Sequence, residues 1–189
     1  MRTAILALLL SASAVLVATA ADPARPSPPF TIQRVGGPPM QLSQFHGKIV
    51  ALAFISTTCP HCQALTGTLG PIAREYTPKG VQFLECAFNP NADQLVSQFI
   101  QQFQPPFPVG YSNDAAVRAY LGYSVMDQRV LYVPHMVFLD QKGMLRDDIA
   151  AEHPTFFLNT EASVRAELDK LLKEPATTAA AGGKNAKKK

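Results

Sequence analysis

Seven consecutive apolar residues, Ile49 to Ile55, form the most continuous buried-type stretch in the mature part of the chain. The run is rich in β-branched residues and too short for an ordinary helix, so it predicts one buried strand. Ser56-Thr57-Thr58 breaks it, and Gln63 to Leu69 resumes at helical spacing. Gly70-Pro71 predicts a kink or break, after which Ile72 to Tyr76 continues helically as far as Thr77-Pro78-Lys79-Gly80. Val81 to Phe88 alternates as the next strand, with Val81, Phe83, Glu85 and Ala87 on one side and Gln82, Leu84, Cys86 and Phe88 on the other. Ala92 to Phe103 carries Leu95, Val96, Phe99, Ile100 and Phe103 on one helical face. Pro105 to Tyr111 reads as extended, and Asn113-Asp114 as the cap of a helix from Ala115 to Leu121. Tyr132 to Asp140 is a strand containing a proline, for which a cis Val133–Pro134 bond at the strand entry gives a reason. A turn at Gln141-Lys142-Gly143 leads into a returning strand, Met144 to Ile149, and a last helix runs from about Thr160 to Lys173. Before all of these, Phe30 to Val35 and Met40 to Leu42 flank Gly36-Gly37-Pro38-Pro39 as two short strands and a turn.

The ends of the chain have a different character. Met1-Arg2, an apolar core from Ala4 to Leu10 and an Ala18-x-Ala20 site predict a secretory signal peptide over residues 1–20. An uncleaved membrane anchor is the other reading of the uncharged residues 4 to 21. Either way the expected destination is outside the cytoplasm, in the periplasm. Four prolines between Asp22 and Pro29 make residues 21–29 an extended linker. One domain of ordinary size, residues 30–174, follows, and residues 175–189 read as a disordered basic tail. The net charge of +3 is set by that tail: residues 30–174 hold eleven Lys and Arg against thirteen Asp and Glu, which argues against nucleic-acid binding.

The candidate chemistry lies where the first buried strand hands over to its helix, at Cys59-Pro60-His61-Cys62. A helix N-terminus presents unpaired N–H groups and the positive end of the macrodipole, and a thiolate is the anion available there. Cys59 is therefore the expected nucleophile. Cys62, separated from it by two residues, is placed to resolve a mixed disulfide formed on Cys59. Pro60 suits the first helical turn, where its missing N–H costs nothing. His61 can set a second positive charge beside the sulfur and so stabilise the reduced form. A zinc knuckle would need a second such pair, whereas the remaining cysteine, Cys86, stands alone and faces the same way as Leu84 and Phe88, as a buried inert thiol would. In an exported chain with so few cysteines, this spacing points to a protein that handles disulfides rather than one held together by them.

The order of strand, Cys-x-x-Cys helix, strand, helix, then Val133-Pro134 before a hairpin and a closing helix is similar to the thioredoxin superfamily. The opening Leu42-x-x-Phe45-x-Gly47-Lys48 resembles the exported TlpA and ResA branch, a pattern shared with peroxiredoxins. The Pro60-His61 dipeptide resembles the DsbA-type disulfide oxidases. The resemblance implies an α/β thioredoxin-like fold, with a central mixed β-sheet flanked by helices on both faces and an N-terminal β-hairpin extension. It implies a cis Pro134 packed against the active-site cysteines and a backbone at Val133 that receives the substrate's cysteine-bearing segment. It implies protein thiol and disulfide substrates, a membrane redox partner that recharges the dithiol or disulfide, a monomer, and no cofactor. The sequence departs from the pattern at Thr58, where many members have tryptophan. It also departs at Leu65 and along the apolar strand before the motif, where reducing members carry a carboxylate that moves the proton of the buried cysteine. Glu85, on the neighbouring strand, is the acidic residue available to take that place.

Two other activities fit parts of the pattern. Ser56-x-x-Cys59 matches part of a peroxidatic motif, although Leu52 stands where that motif has proline and a close second thiol would trap the reactive one. A Cu(I) site from Cys59, Cys62 and a histidine would be chemically apt. Its nearest candidate, His135, follows Pro134, and strand alternation turns neighbouring residues to opposite sides. His46 reads as a surface loop residue.

Overall fold

In the computed structural model, residues 24–174 are described, with the exception of Val125 and Pro154. The expected signal peptide at 1–20 and basic tail at 175–189 lie outside the described residues. The strands are β1 (Arg25–Pro26), β2 (Thr31–Ile32), β3 (Met40–Gln41), β4 (Ile49–Ile55), β5 (Val81–Ala87), β6 (Val109–Tyr111), β7 (His135–Leu139) and β8 (Met144–Ile149). The helices are α1 (Pro60–Tyr76), α2 (Ala92–Phe103), α3 (Asp114–Tyr120) and α4 (Thr160–Lys173). Six strands form one sheet in the order β1-β8-β7-β4-β5-β6. β4, β5 and β6 run parallel, and β7 and β8 are antiparallel to their neighbours, so the sheet is mixed as expected. β4 lies in the middle with all seven residues buried, which is why its sequence is apolar on both faces instead of alternating.

Each face of the sheet has its own core. On one, Ala51, Ala53 and Ile55 of β4 and Phe83 of β5 pack against Leu65, Leu69 and Ile72 of α1, Val96 and Phe99 of α2, and Val164 and Leu168 of α4. On the other, Leu52 and Phe54 meet Phe30, Ile32, Met40 and Leu42 of the N-terminal hairpin and Val117 and Tyr120 of α3. Helices thus cover both faces unequally, three against one, and the hairpin made by β2 and β3 supplies the missing cover.

Two local expectations are corrected. Of the kink or break expected at Gly70-Pro71, the break does not occur, since α1 runs through Pro71. Proline deprives the Gly67 carbonyl of its helical partner, but Gly67 and Pro71 are both exposed, so water can take the bond. The expected linker is also partly structured: Arg25 and Pro26 pair with Leu145 and Met144 as an edge strand on β8. Proline is tolerated there because an edge strand needs donors on one side only.

The hairpin is fastened to the sheet where Gln33 exchanges backbone hydrogen bonds with Tyr111, at 2.8 and 2.9 Å. This close approach requires glycine at position 110, since a Cβ there would stand 2.2 Å from the Gln33 carbonyl oxygen and 2.6 Å from Ile32 Cγ2. Gly110→Ala is expected to cost about 1–3 kcal/mol, the range for overpacking a tight site. The urea midpoint, read at unchanged slope, measures this, and a midpoint equal to that of the parent protein would contradict it.

Candidate active site

Central strand β4 ends at Ile55, and the chain turns through Ser56-Thr57-Thr58 into α1. Cys59 occupies the N-cap in an extended conformation, φ −83° and ψ 121°, and Pro60 begins the helix. The turn is closed by hydrogen bonds. Cys59 N–H donates to Ser56 O at 3.2 Å, Gln63 N–H to Cys59 O at 3.1 Å, and the Gln63 side chain to Thr57 O at 3.0 Å. Asn89, just past β5, holds the turn from the side: its Oδ1 accepts from Thr57 N–H at 2.9 Å and its Nδ2 donates to the Thr57 hydroxyl at 3.1 Å. The active-site turn is therefore tied to the neighbouring strand end.

The two thiols differ in environment. Both are free, Cys59 half-buried and Cys62 buried without exposed surface. Burial pushes the Cys62 thiol well above the usual range, opposed in part by Ser56 N–H, which donates to its sulfur at 3.4 Å. Cys62 is thus a protonated thiol at neutral pH, and Cys59 is the sulfur that a partner can reach. His61 is exposed in the first turn of α1, as is Pro60.

The Val133–Pro134 bond is cis. Pro134 is buried, and Val133, half-buried, packs with Cys59 against the core that contains Cys62. The register that sets His135 opposite Phe54 carries Val133 and Pro134 toward the end of β4 from which the cysteine turn leaves. His135 is turned the other way. It begins β7 opposite Phe54, its ring meets the Phe54 ring edge-on, and its Nε2 pairs with Asp148. His46 stands over Gly143, at the end of the sheet remote from the cysteines. Neither histidine joins the dithiol, and among the described residues no three His, Cys, Asp or Glu side chains gather as a metal site. Cys86 is fully buried on the face away from α1, where burial raises its thiol and keeps it protonated.

Beneath the dithiol lies Glu85 of β5. It has no exposed surface, and its Oε1 is 2.9 Å from the Thr66 hydroxyl of α1. Burial raises its carboxyl to about 8, with the Thr66 contact working in the opposite direction. The Thr66 hydroxyl also lies 3.0 Å from the Cys62 carbonyl, one helical turn back. Sequence reasoning singled out Glu85 but missed Thr66 and Asn89. The i, i+4 spacing of Cys62 and Thr66 on one helix was a usable signal. Nothing local links Thr57 to Asn89, 32 residues away. Next to Asn89 opens a cleft of about 680 Å³ lined by Gln33, Phe88, Asn91, Tyr111 and Asn113.

With a half-exposed thiol at a helix N-cap, a buried second thiol and a cis proline at the same core, the site has the parts for dithiol–disulfide chemistry. The sequence matches the Redoxin family over residues 20–168. The chain belongs to the Redoxin family. It is 32% identical over 79 residues to the thiol-disulfide oxidoreductase ResA of Oceanobacillus iheyensis, a match spanning 42% of this chain and 41% of that one. It is 25% identical over 126 residues to the thiol-disulfide oxidoreductase ResA of Bacillus thuringiensis subsp. konkukian, spanning 67% of this chain and 68% of that one. Among solved structures it resembles a thioredoxin-family thiol:disulfide interchange protein from Chlorobium tepidum, with a TM-score of 0.62 at 22% identity over 79% of this chain and 99% of that one. The fold is that of the thioredoxin superfamily, and the sequence relatives are ResA-like enzymes.

Proposed function

We propose that this chain is an exported thiol–disulfide oxidoreductase that exchanges disulfides with protein substrates through Cys59 and Cys62. The observation that carries this reading is the pairing of a reachable Cys59 at the N-cap of α1 with a Cys62 buried directly behind it. Cys59 attacks or is attacked, Cys62 closes or opens the intramolecular disulfide, and the backbone at Val133 beside Pro134 receives the substrate segment. The charged start, apolar core and Ala18-x-Ala20 site of the sequence support export, and a membrane partner would return the pair to its working redox state. Among the described residues no helix is long and apolar enough to cross a membrane. Equilibration with glutathione tests the reading: a single two-electron transition that disappears in Cys62→Ser is expected, and failure to form a disulfide would sink it. A midpoint near about −120 mV would favour an oxidase and one near about −270 mV a reductase.

His61 is assigned the tuning role. Exposed in the first turn, it is free to lend positive charge to the Cys59 thiolate, and loss of that charge makes the reduced form less stable. His61→Pro is expected to make the potential more negative by about 30 mV, which is about 1.4 kcal/mol for this couple. An unchanged potential would remove His61 from the mechanism and leave the tuning to the helix N-terminus.

A further inference from the structure

The three parallel strands end side by side, because Phe88 N–H donates to the Ile55 carbonyl at 3.2 Å and Ser112 N–H to the Ala87 carbonyl at 2.9 Å. The dithiol turn leaves the end of β4, and the cleft of about 680 Å³ opens beside it at the ends of β5 and β6. The carboxyl ends of parallel strands are where an open α/β sheet usually holds a ligand, and the volume is that of a ligand site. Two lining residues, Gln33 and Tyr111, are locked together by their paired backbone hydrogen bonds. A third, Asn89, is the residue that grips Thr57 of the dithiol turn. The charge of the cleft is one-sided. Phe88 and Tyr111 give it aromatic surface, and the charged side chains lining it are Asp93 and Asp114, with no Lys, Arg or His among them. Asp114 is held by Arg118 at 2.8 Å, whereas none of the ion pairs among the described residues engages Asp93. Asp93 stands in the first turn of α2, whose N-terminus carries about half a positive charge, less than the full charge of a carboxylate. The cleft therefore favours a cation.

Resting on the exchange activity proposed above, we infer that this cleft is the subsite for a Lys or Arg side chain of the polypeptide substrate, about three residues from the cysteine that reacts with Cys59. The aliphatic stem packs on Phe88 and Tyr111, and the charged head reaches Asp93. The spacing follows from the sheet. Neighbouring strands lie about 5 Å apart, so the end of β6 is about 10 Å from that of β4, and an extended chain covers about 3.3 Å per residue. Val133 precedes β7, and in the order β7-β4-β5-β6 it lies on the opposite side of β4 from the cleft. A segment resting on both carries its cysteine over Cys59. A small disulfide reaches Cys59 without the cleft, whereas a chain with a basic residue at the right distance gains a second hold. Because Asn89 belongs both to the cleft and to the clasp on Thr57, a filled cleft also braces the turn that presents Cys59.

The test uses capped Gly/Ser peptides, each with one cysteine held as a pyridyl disulfide and one variable residue, Lys, Gln or Glu, moved stepwise away from the cysteine on either side. The Cys59 thiolate of the reduced protein bonds to the peptide sulfur, the peptide–pyridyl S–S bond breaks, and the pyridinethione that leaves with the electron pair is followed by absorbance at neutral pH and low salt. The Lys peptide is expected to react about threefold faster than the Gln peptide, as one exposed ion pair supplies, with a maximum about three residues from the cysteine, and the Glu peptide more slowly than either. Asp93→Asn should remove the difference and Asp93→Lys invert it. Position 93 is exposed, so neither variant burdens the core. Glu75→Gln removes one negative charge at the far end of α1 and should leave the preference intact. Equal rates for Lys and Gln, an advantage of the same size at every position, or one that falls equally in Glu75→Gln and Asp93→Asn overturns the inference. If no peptide yields pyridinethione, or the peptide stays on Cys59 without release by Cys62, the exchange reading itself fails, an outcome distinct from normal turnover that ignores the variable residue.

Discussion

Cys59→Ser is expected to reduce disulfide exchange to background, and Cys62→Ser to accumulate a stable mixed disulfide with the substrate. The asymmetry follows from exposure, since an incoming sulfur can reach half-buried Cys59 while Cys62 has no accessible surface. Once Cys59 is bonded to a partner, only a thiol directly behind it can displace that partner, and Cys86 lies on the other face of the sheet. Folding is not the confounding factor. Serine is a favoured N-cap residue, so Cys59→Ser keeps or improves the start of α1. At position 62 a hydroxyl can accept the Ser56 N–H that the sulfur now accepts. Mass spectrometry of each variant after exposure to a disulfide-bonded peptide reads the outcome. Adduct on Cys59→Ser in preference to Cys62→Ser would reverse the two roles.

The parts of this site that were legible in the sequence are those in which function and local structure share one pattern. Ile49–Ile55 could be read as a buried strand because its continuous apolar character reflects burial on both faces, and the cysteines were then fixed at a strand-to-helix junction. Val133-Pro134 was legible because a proline at the start of a strand is costly without a special geometry. The direction of His135 followed from period-2 alternation alone, and it removes the histidine that a copper site would have used. What could not be read depended on distant pairing. Asn89 lies just past β5, and only the parallel register that sets Ile55 beside Ala87 brings its amide to Thr57. Arg25-Pro26 looked like linker because two residues carry no periodicity, and they become a strand only against β8. Pro71 misled because the cost of a missing helical bond depends on whether the orphan carbonyl faces water, which composition does not reveal.

Glu85→Gln is expected to stabilise the protein strongly at alkaline pH and hardly at all in acid. A carboxyl raised from 4.5 to about 8 on folding stays protonated in the native state across a window in which the unfolded chain has ionised. Below pH 4.5 both states hold the proton and the native state bears no penalty. As pH rises from about 4.5 to 8 the native state binds more protons than the unfolded one, so stability falls by about 1.4 kcal/mol per unit, reaching about 5 kcal/mol before it levels off. The uncharged amide does not titrate and can still hydrogen-bond Thr66, which removes this slope. Glu75, Asp127 and Glu174, whose carboxyls are lowered by Arg and Lys partners, give slopes of the opposite sign, but both proteins share them and they cancel in the difference. Denaturation curves at pH 4, 6 and 8 on both proteins are the measurement; parallel stability–pH curves would show that Glu85 does not hold its proton in the folded state. A penalty of this size is a large share of the 5–15 kcal/mol that typically separates folded from unfolded. A chain free to replace Glu85 with a neutral residue would gain that stability, so the acid is not accounted for by the fold it weakens.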